Sequence, residues 1–514
     1  RKFIKPTREE WLDTLRYNAM LSSPNTHLVN ISSNIQGTGL IAPIEKTLTG
    51  TFDWLRSSVT GKPRQYFARE GIEYAKGYYS NLGKAAKRFG DVFSGKVMGD
   101  YPELRDIPLA TKGGKQIAED FLKVPQRALE AMDQFFTTLT SEGSKRALEY
   151  RFSKGAKVGN IAKEAAEEAQ TRLFRGDFGR AEEGPLLRSI EFIPQKLMEA
   201  KNSNNPVVRI TSKLSFPFVR IAVNLFKQGI EYSPAGLATI PGAKEKLPQF
   251  TKAFMGVLSG VGASMLASSD RITWAKPSSK KQQTLWNQAG MQEYSVKVGD
   301  KWVSYTKLHP LLAFNFATVA GVKQALESQK IDDGTADTIL TSLGNIMRFY
   351  ADQSYVKNIG DFINATEQGV SGLPKLASNY TQQFVPYRAF LGWLARTLDP
   401  VQRTTTEDAN AIQKQMEYFF MQIPGLRQKL PAKTGLTGEP IENKNRFINA
   451  VSPTRISTGT PDYEQAYKIQ KNLPKIQEAK RNALEAYISG DKQKANELKE
   501  KHGFKVSLED IKRL

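Results

Sequence analysis

Three histidines, His27, His309 and His502, are the side chains best suited to acid–base work or metal binding, since imidazole changes charge near neutral pH. Each stands far from the others in sequence, and neither task is done by one residue alone. The chain has no cysteine, which excludes zinc fingers, disulfide frameworks and thiol nucleophiles. A phosphate-cradling GxxxxGKS/T loop is absent, as are a GxGxxG turn after a strand and a GxSxG elbow. The acidic pairs Glu182-Glu183 and Asp332-Asp333 read as surface or helix-end groups. The sequence therefore predicts no catalytic residue, no metal ligand and no cofactor.

A different chemistry is written between Ser215 and Leu312. SFPFVRIAVNLFKQGIEYSPAGL reads as an amphipathic helix carrying Arg220 and Lys227. Ala253 to Ser269, AFMGVLSGVGASMLASS, holds no charge. Within it Gly256, Gly260, Ser264 and Ser268 recur at every fourth position, which on a helix gathers small residues to one side and admits another backbone closely. The run reaches only the lower limit of about 17–25 residues for a membrane span. Two readings stay open: a buried helix in a large α-helical core, and a helix that enters or packs inside a membrane assembly. Basic residues flank the run, with Lys252 before it and Arg271, Lys276, Lys280 and Lys281 after it. Arg220 and Lys227 join them as expected polyanion contacts. The stretch closes on a β-hairpin near 292–306, where alternating residues lead to Val298, Gly299-Asp300 turns the chain, and Trp302, Val303 and Tyr305 return it.

Net charge is +21, from 73 Lys and Arg against 52 Asp and Glu, with the basic excess concentrated between 201 and 310. Such a surplus favours nucleic acid or an anionic membrane surface. At 514 residues the chain can bury a sizeable core without metals or disulfides. Having no thiols, it could cross between reducing and oxidising spaces without covalent consequence. RKFIKPTREEW has a basic start and no apolar core, so it does not read as a secretory leader, and the initial Arg suits a processed product or part of a longer polypeptide.

The elements that must position these features are mostly helices. Residues 1–200 form an N-terminal helical region. Thr7 and Glu10 are spaced as a capping box for its first helix. LSSPNTHLVNISSNIQGTGLIAPIEKTLTG, rich in short polar side chains, is expected to be packed but irregular. Residues 61–100 interleave basic and aromatic side chains, a pattern open to nucleic-acid stacking but better explained by helices that bury Tyr and Phe. Leu129, Met132, Phe135, Phe136 and Leu139 fall at helical spacing. Residues 201–400 make a central helical region with the uncharged helix and the hairpin. A Pro/Gly-rich strap follows at 401–461, and 462–514 is a small, charged, helical appendage. The fold class is mainly α, an elongated multi-helix body with one small hairpin.

Six segments resemble one family: NAMLSSPNTHLVNISSN, RALEAMDQFFTTL, FPFVRIAVNLFKQGIEYSPAG, YSVKVGDKWVSYTKLHPL, FVPYRAFLGWLARTLDPVQR and IPGLRQKLPAKTGLTGEPI. The chain resembles the large virion-borne, polyvalent-type proteins of tailed bacteriophages that carry a large polyvalent protein associated domain. The hairpin with Pro310 after it carries the resemblance most specifically. Where the family reads Arg/Lys-Leu-Asp-Pro, this chain has Lys307-Leu308-His309-Pro310, an imidazole in place of a carboxylate.

The resemblance implies an internal or ejection protein. It would be packaged in the capsid interior or tail region, leave with the genome, and help DNA cross the host periplasm and inner membrane. Its implied partners are copies of itself, other ejection, portal or tail proteins, double-stranded DNA bound without sequence preference, and the host inner membrane. Two other expectations compete: a capsid-internal scaffold or DNA-packing protein that never meets a membrane, and the non-catalytic part of a larger nucleic-acid enzyme.

Overall fold

The computed structural model describes residues 8–97, 114–176, 219–277, 280–327, 384–435 and 438–460, with shorter pieces within 199–212, 344–352 and 462–500. Thr7 of the expected capping box, both acidic pairs and His502 lie outside the described residues. The fold is mainly helical with a small three-stranded antiparallel sheet.

The N-terminal helices are α1 (Arg8–Leu21), α2 (Pro24–Asn34), α3 (Ala42–Thr60), α4 (Arg69–Ser80), α5 (Leu82–Phe93), α6 (Gly114–Ser153) and α7 (Ile161–Arg172). The spine is α6, a 40-residue helix with Pro125 inside it. Its 3.6-residue apolar stripe buries Leu129, Phe136 and Leu139. Against it, α4 buries Tyr74 and Tyr78, whose rings stack at 6.1 Å. Full burial of such a ring stabilises by about 1.5–3 kcal/mol. The lysines of this basic-aromatic stretch turn outward: Lys84 pairs with Glu142 and Lys76 with Glu73. The pattern here is an amphipathic helix rather than an array of stacking platforms.

The segment expected to be irregular is helical instead: α2 runs into a seven-residue π-helix, Ile35–Ile41, and then into α3. The short polar side chains fold back on their own helices. Thr38 donates to Asn34 O at 2.7 Å and Thr49 to Glu45 O at 2.8 Å, so they satisfy themselves without leaving the helix.

The centre comprises α8 (Val219–Glu231), a 3-10 turn (Pro234–Gly242), α9 (Lys246–Ser268), α10 (Lys280–Gln288), the hairpin β1 (Ser295–Val298) and β2 (Lys301–Ser304), and α11 (Pro310–Glu327). One core gathers Ala263 and Ala267 of α9, Trp274, Tyr294 and Tyr305 around the hairpin, and Phe314 and Ala317 of α11. Val298 pairs with Lys301, leaving Gly299-Asp300 as a two-residue loop. Gly299 has φ 63°, which suits glycine at the first position of a hairpin turn.

Beyond α12 (Arg388–Leu398) the strap is more structured than its composition indicates. It holds α13 (Ala411–Phe420), α14 (Arg446–Val451) and β3 (Ile456–Thr458). Strand β3 adds to β2, pairing Trp302 with Ser457, so the hairpin becomes a sheet. Asp399, fully buried, anchors the start of the strap to Arg403 and Arg427. The first turns of the appendage also dock: Glu464 pairs with Lys297, and Tyr463 and Tyr467 cover Trp302 and Trp286. Packing crosses the boundaries expected near 200 and 400. Ile41 meets Tyr232, Met255 and Leu311 across the first, and α12 packs on α14 across the second.

Candidate functional site

The uncharged run is one helix with two unlike faces. Ala253, Met255, Gly256, Ala263 and Ala267 of α9 are buried against α3, α8 and α11. Val257, Leu258, Val261 and Met265 stand exposed, Met265 at 68%. The helix is long and apolar enough to cross a membrane, and 33% of its most apolar window is buried in the chain. The small-residue ladder does not stay on one of these faces, because each four-residue step turns about 40° around the axis. Gly256 points inward, where a Cβ would sit 2.2 Å from Tyr232 O. Gly260 faces open space, and Ser264 and Ser268 are exposed with their hydroxyls bonded back to Gly260 O and Met265 O.

The expected polyanion contacts divide likewise. Lys276 is exposed beyond α9, and Arg220 is half-buried. Arg271 is exposed and spends its guanidinium on Lys297 O, at 3.0 and 3.2 Å, clamping the hairpin. Lys280 and Lys281 lie in α10 with side chains outside the described residues. Lys227 is buried rather than on the surface, at 4% exposure. Lys252 is turned inward and pairs with Glu231 at 2.8 Å, which withdraws it from any external polyanion.

Lys252 leads to a charged centre that the sequence did not disclose. Its members come from four helices: Glu45 and Lys46 on α3, Glu168 and Arg172 on α7, Glu231 on α8 with Tyr232 just beyond it, and Lys252 on α9. Arg172 grips both oxygens of Glu45 at 3.2 Å and reaches Glu168 at 2.8 Å. Lys46 pairs with Glu168 at 2.9 Å, and the Tyr232 hydroxyl donates to Glu45. Three acids thus meet three bases. Burial alone would raise the Glu45 carboxyl, but Arg172, Lys252 and Tyr232 overcome it and hold the group below the usual carboxylate range. Burial would likewise lower Lys252, yet Glu231 and Glu45 hold its ammonium above the ordinary value. These groups line a cavity of about 400 Å³.

His309 closes that cavity and has a defined job. Its Nδ1 accepts the Leu311 N–H at 3.2 Å, and its carbonyl accepts the N–H of Leu312 and Ala313, so it caps α11 with Pro310 as the first helical residue. Its own N–H donates to Gln36 of the π-helix at 3.0 Å. An accepting imidazole must be neutral, and burial, aided by Arg172 and Lys252 against the opposing charge of Glu45, pushes its pKa down to about 3. The His309 imidazole is therefore a helix cap, a role that a carboxylate also fills. Chemically, this centre locks the junction of α3, α7, α8 and α9 beside the capped start of α11: its charges are mutually neutralised and its imidazole is already engaged. Among the described residues no three His, Asp or Glu side chains gather as a metal site.

In the hairpin, Val298 and Asp300 face solvent at the turn, whereas Trp302, Tyr305 and Pro310 are buried. Tyr305 donates to Thr273 O at 2.9 Å, tying the hairpin to the segment that follows α9. The hairpin residues are thus structural supports for α9 and α11. No protein-family model, curated protein or solved structure matches the chain.

Proposed function

We propose that this chain is a virion-borne ejection protein of a tailed bacteriophage. It leaves the capsid interior or tail region with the genome, associates with copies of itself at the host envelope and helps DNA cross. The observation that carries the reading is the outer face of α9, a row of Val257, Leu258, Val261 and Met265 left uncovered on a helix of membrane-compatible length. An apolar row of this kind on a chain of net charge +21 fits a surface that meets lipid or another subunit beside an anionic partner. The six segments that resemble polyvalent phage proteins support the same role, and the cysteine-free composition suits passage between compartments. Portal, tail or other ejection proteins, double-stranded DNA and the inner membrane are its proposed partners, and the host periplasm and inner membrane its destination.

The test is flotation of the purified chain with anionic vesicles at moderate salt, with particle mass counted in the same samples. The proposal expects co-flotation and particles larger than one chain. A chain that stays at the bottom and remains monomeric contradicts it, and favours a capsid-internal scaffold or DNA-packing role in which the apolar face meets other virion proteins.

A further inference from the structure

Where the strap crosses beside the hairpin it leaves a groove of about 1020 Å³. Lys276, Lys433 and Arg455 line it, from three separate segments, and Lys444 is a fourth cation in its lining. Their backbones are fixed. Lys433 lies in a ladder with Gln402 and Ile441, each bond at 2.8 Å, and the Arg455 carbonyl accepts from Ser304 N and Gln292 Nε2, both at 2.9 Å. Lys276 N contacts Glu293 Oε1 at 3.5 Å.

None of the three cationic heads forms an ion pair among the described residues. Glu293, Glu439 and Glu442 also line the groove, yet among the described residues none of them forms an ion pair with Lys276, Lys433 or Arg455. Burial lowers the Lys433 ammonium from its ordinary value, and Arg455 and Lys276 lower it further. No carboxylate acts in the other direction there. This is the reverse of the charged centre, where every positive charge has a partner. Like charges held together on rigid backbone raise the energy of the empty site, and an external anion removes that cost.

We propose that this groove binds the phosphodiester backbone of a nucleic acid, with Lys276, Lys433 and Arg455 facing one phosphate. Arg455 offers a planar fork for two phosphate oxygens, and the lysines add point charges. The contact carries no base readout, as a sequence-independent grip on a moving strand requires. The inference rests on the DNA contact in the proposed function and assigns it to the strap groove rather than to the residues around α9.

The test is anisotropy titration of a short labelled oligonucleotide, single-stranded and duplex, across a salt series. Wild type is compared with Lys433→Gln/Arg455→Gln and with the charge-conserving Lys433→Arg. The double variant is expected to bind duplex about tenfold or more weakly at low salt, with a log–log salt slope shallower by about 2. Lys433→Arg should retain binding, and the unfolding midpoint of the double variant should hold or rise as repulsion is relieved. Equal affinity and slope in wild type and double variant overturn the groove assignment while leaving the DNA contact standing. Wild type that binds neither oligonucleotide overturns both. If wild type binds no oligonucleotide, yet inorganic phosphate or phosphatidylserine vesicles bind in a Lys433- and Arg455-dependent way, the ligand is not nucleic acid and the proposal fails.

Discussion

Both faces of α9 are apolar, but only one is finished. On the inner face small residues let α3, α8 and α11 close in until the Tyr232 backbone stands where a Gly256 side chain would be. On the outer face the larger side chains of Val257, Leu258, Val261 and Met265 stand exposed. Phe250 and Phe254 of the same helix pack edge-on against Phe52, so the exposed aliphatic row stands apart from what holds this protein together and is what α9 offers to something else. The charges repeat the division. Around Arg172 each one is answered within the chain, whereas Lys276, Lys433 and Arg455 form no ion pair among the described residues.

The largest effect should come from breaking the neutralised centre. Arg172→Met leaves Glu45 and Glu168 buried without their main partner and should cost about 3–5 kcal/mol in denaturant unfolding. Gly256→Leu should follow at about 3 kcal/mol, because the Tyr232–Ser233 backbone must move. Gly260→Leu, one helical turn away, meets open space and should stabilise by up to about 1 kcal/mol through helix propensity. Equal losses at the two glycines would erase the distinction between the faces.

Acid supplies a smaller, graded test. His309 has a folded pKa of about 3 against 6.5, so the unfolded chain binds the extra proton between those values. Its contribution is complete above pH 6.5 and declines as pH falls toward 3. Glu45, held below 4.5, adds a loss in the same direction at lower pH. His309→Asn, which can still cap α11, should flatten the decline between pH 6.5 and 4.5 when unfolding is followed across pH. An unchanged slope would remove His309 from the account. His309→Ala should cost about 1 kcal/mol for the cap alone at pH 7.

Much of the scaffold was legible in the sequence. Helical spacing marked α6, and alternation around Gly299-Asp300 marked the hairpin, because both signals are local. Strand β3 was not legible: three residues arrive from a strap about 150 positions later to pair with β2, and sequence distance hides such a partner. The charged centre was hidden likewise, with Glu45 and Arg172 separated by 127 positions and Glu45 and Tyr232 by 187. Glu168 and Arg172 at i and i+4 were a local clue, but surface helices carry the same pair. His309-Pro310 held the better signal, an N-cap followed by an N1 proline, once imidazole is counted among the acceptors. The α9 ladder was misleading because counting every fourth residue ignores the drift around the helix, so Gly256 and Ser268 end on different faces.

The central claim is that the outer face of α9 is an engagement surface, and Leu258→Gln/Met265→Gln tests it most directly. Both side chains are exposed, so unfolding stability should stay within about 0.5 kcal/mol of wild type. Flotation with anionic vesicles and growth beyond one chain should both be lost. A variant that remains folded and still floats and assembles as wild type does would contradict the account.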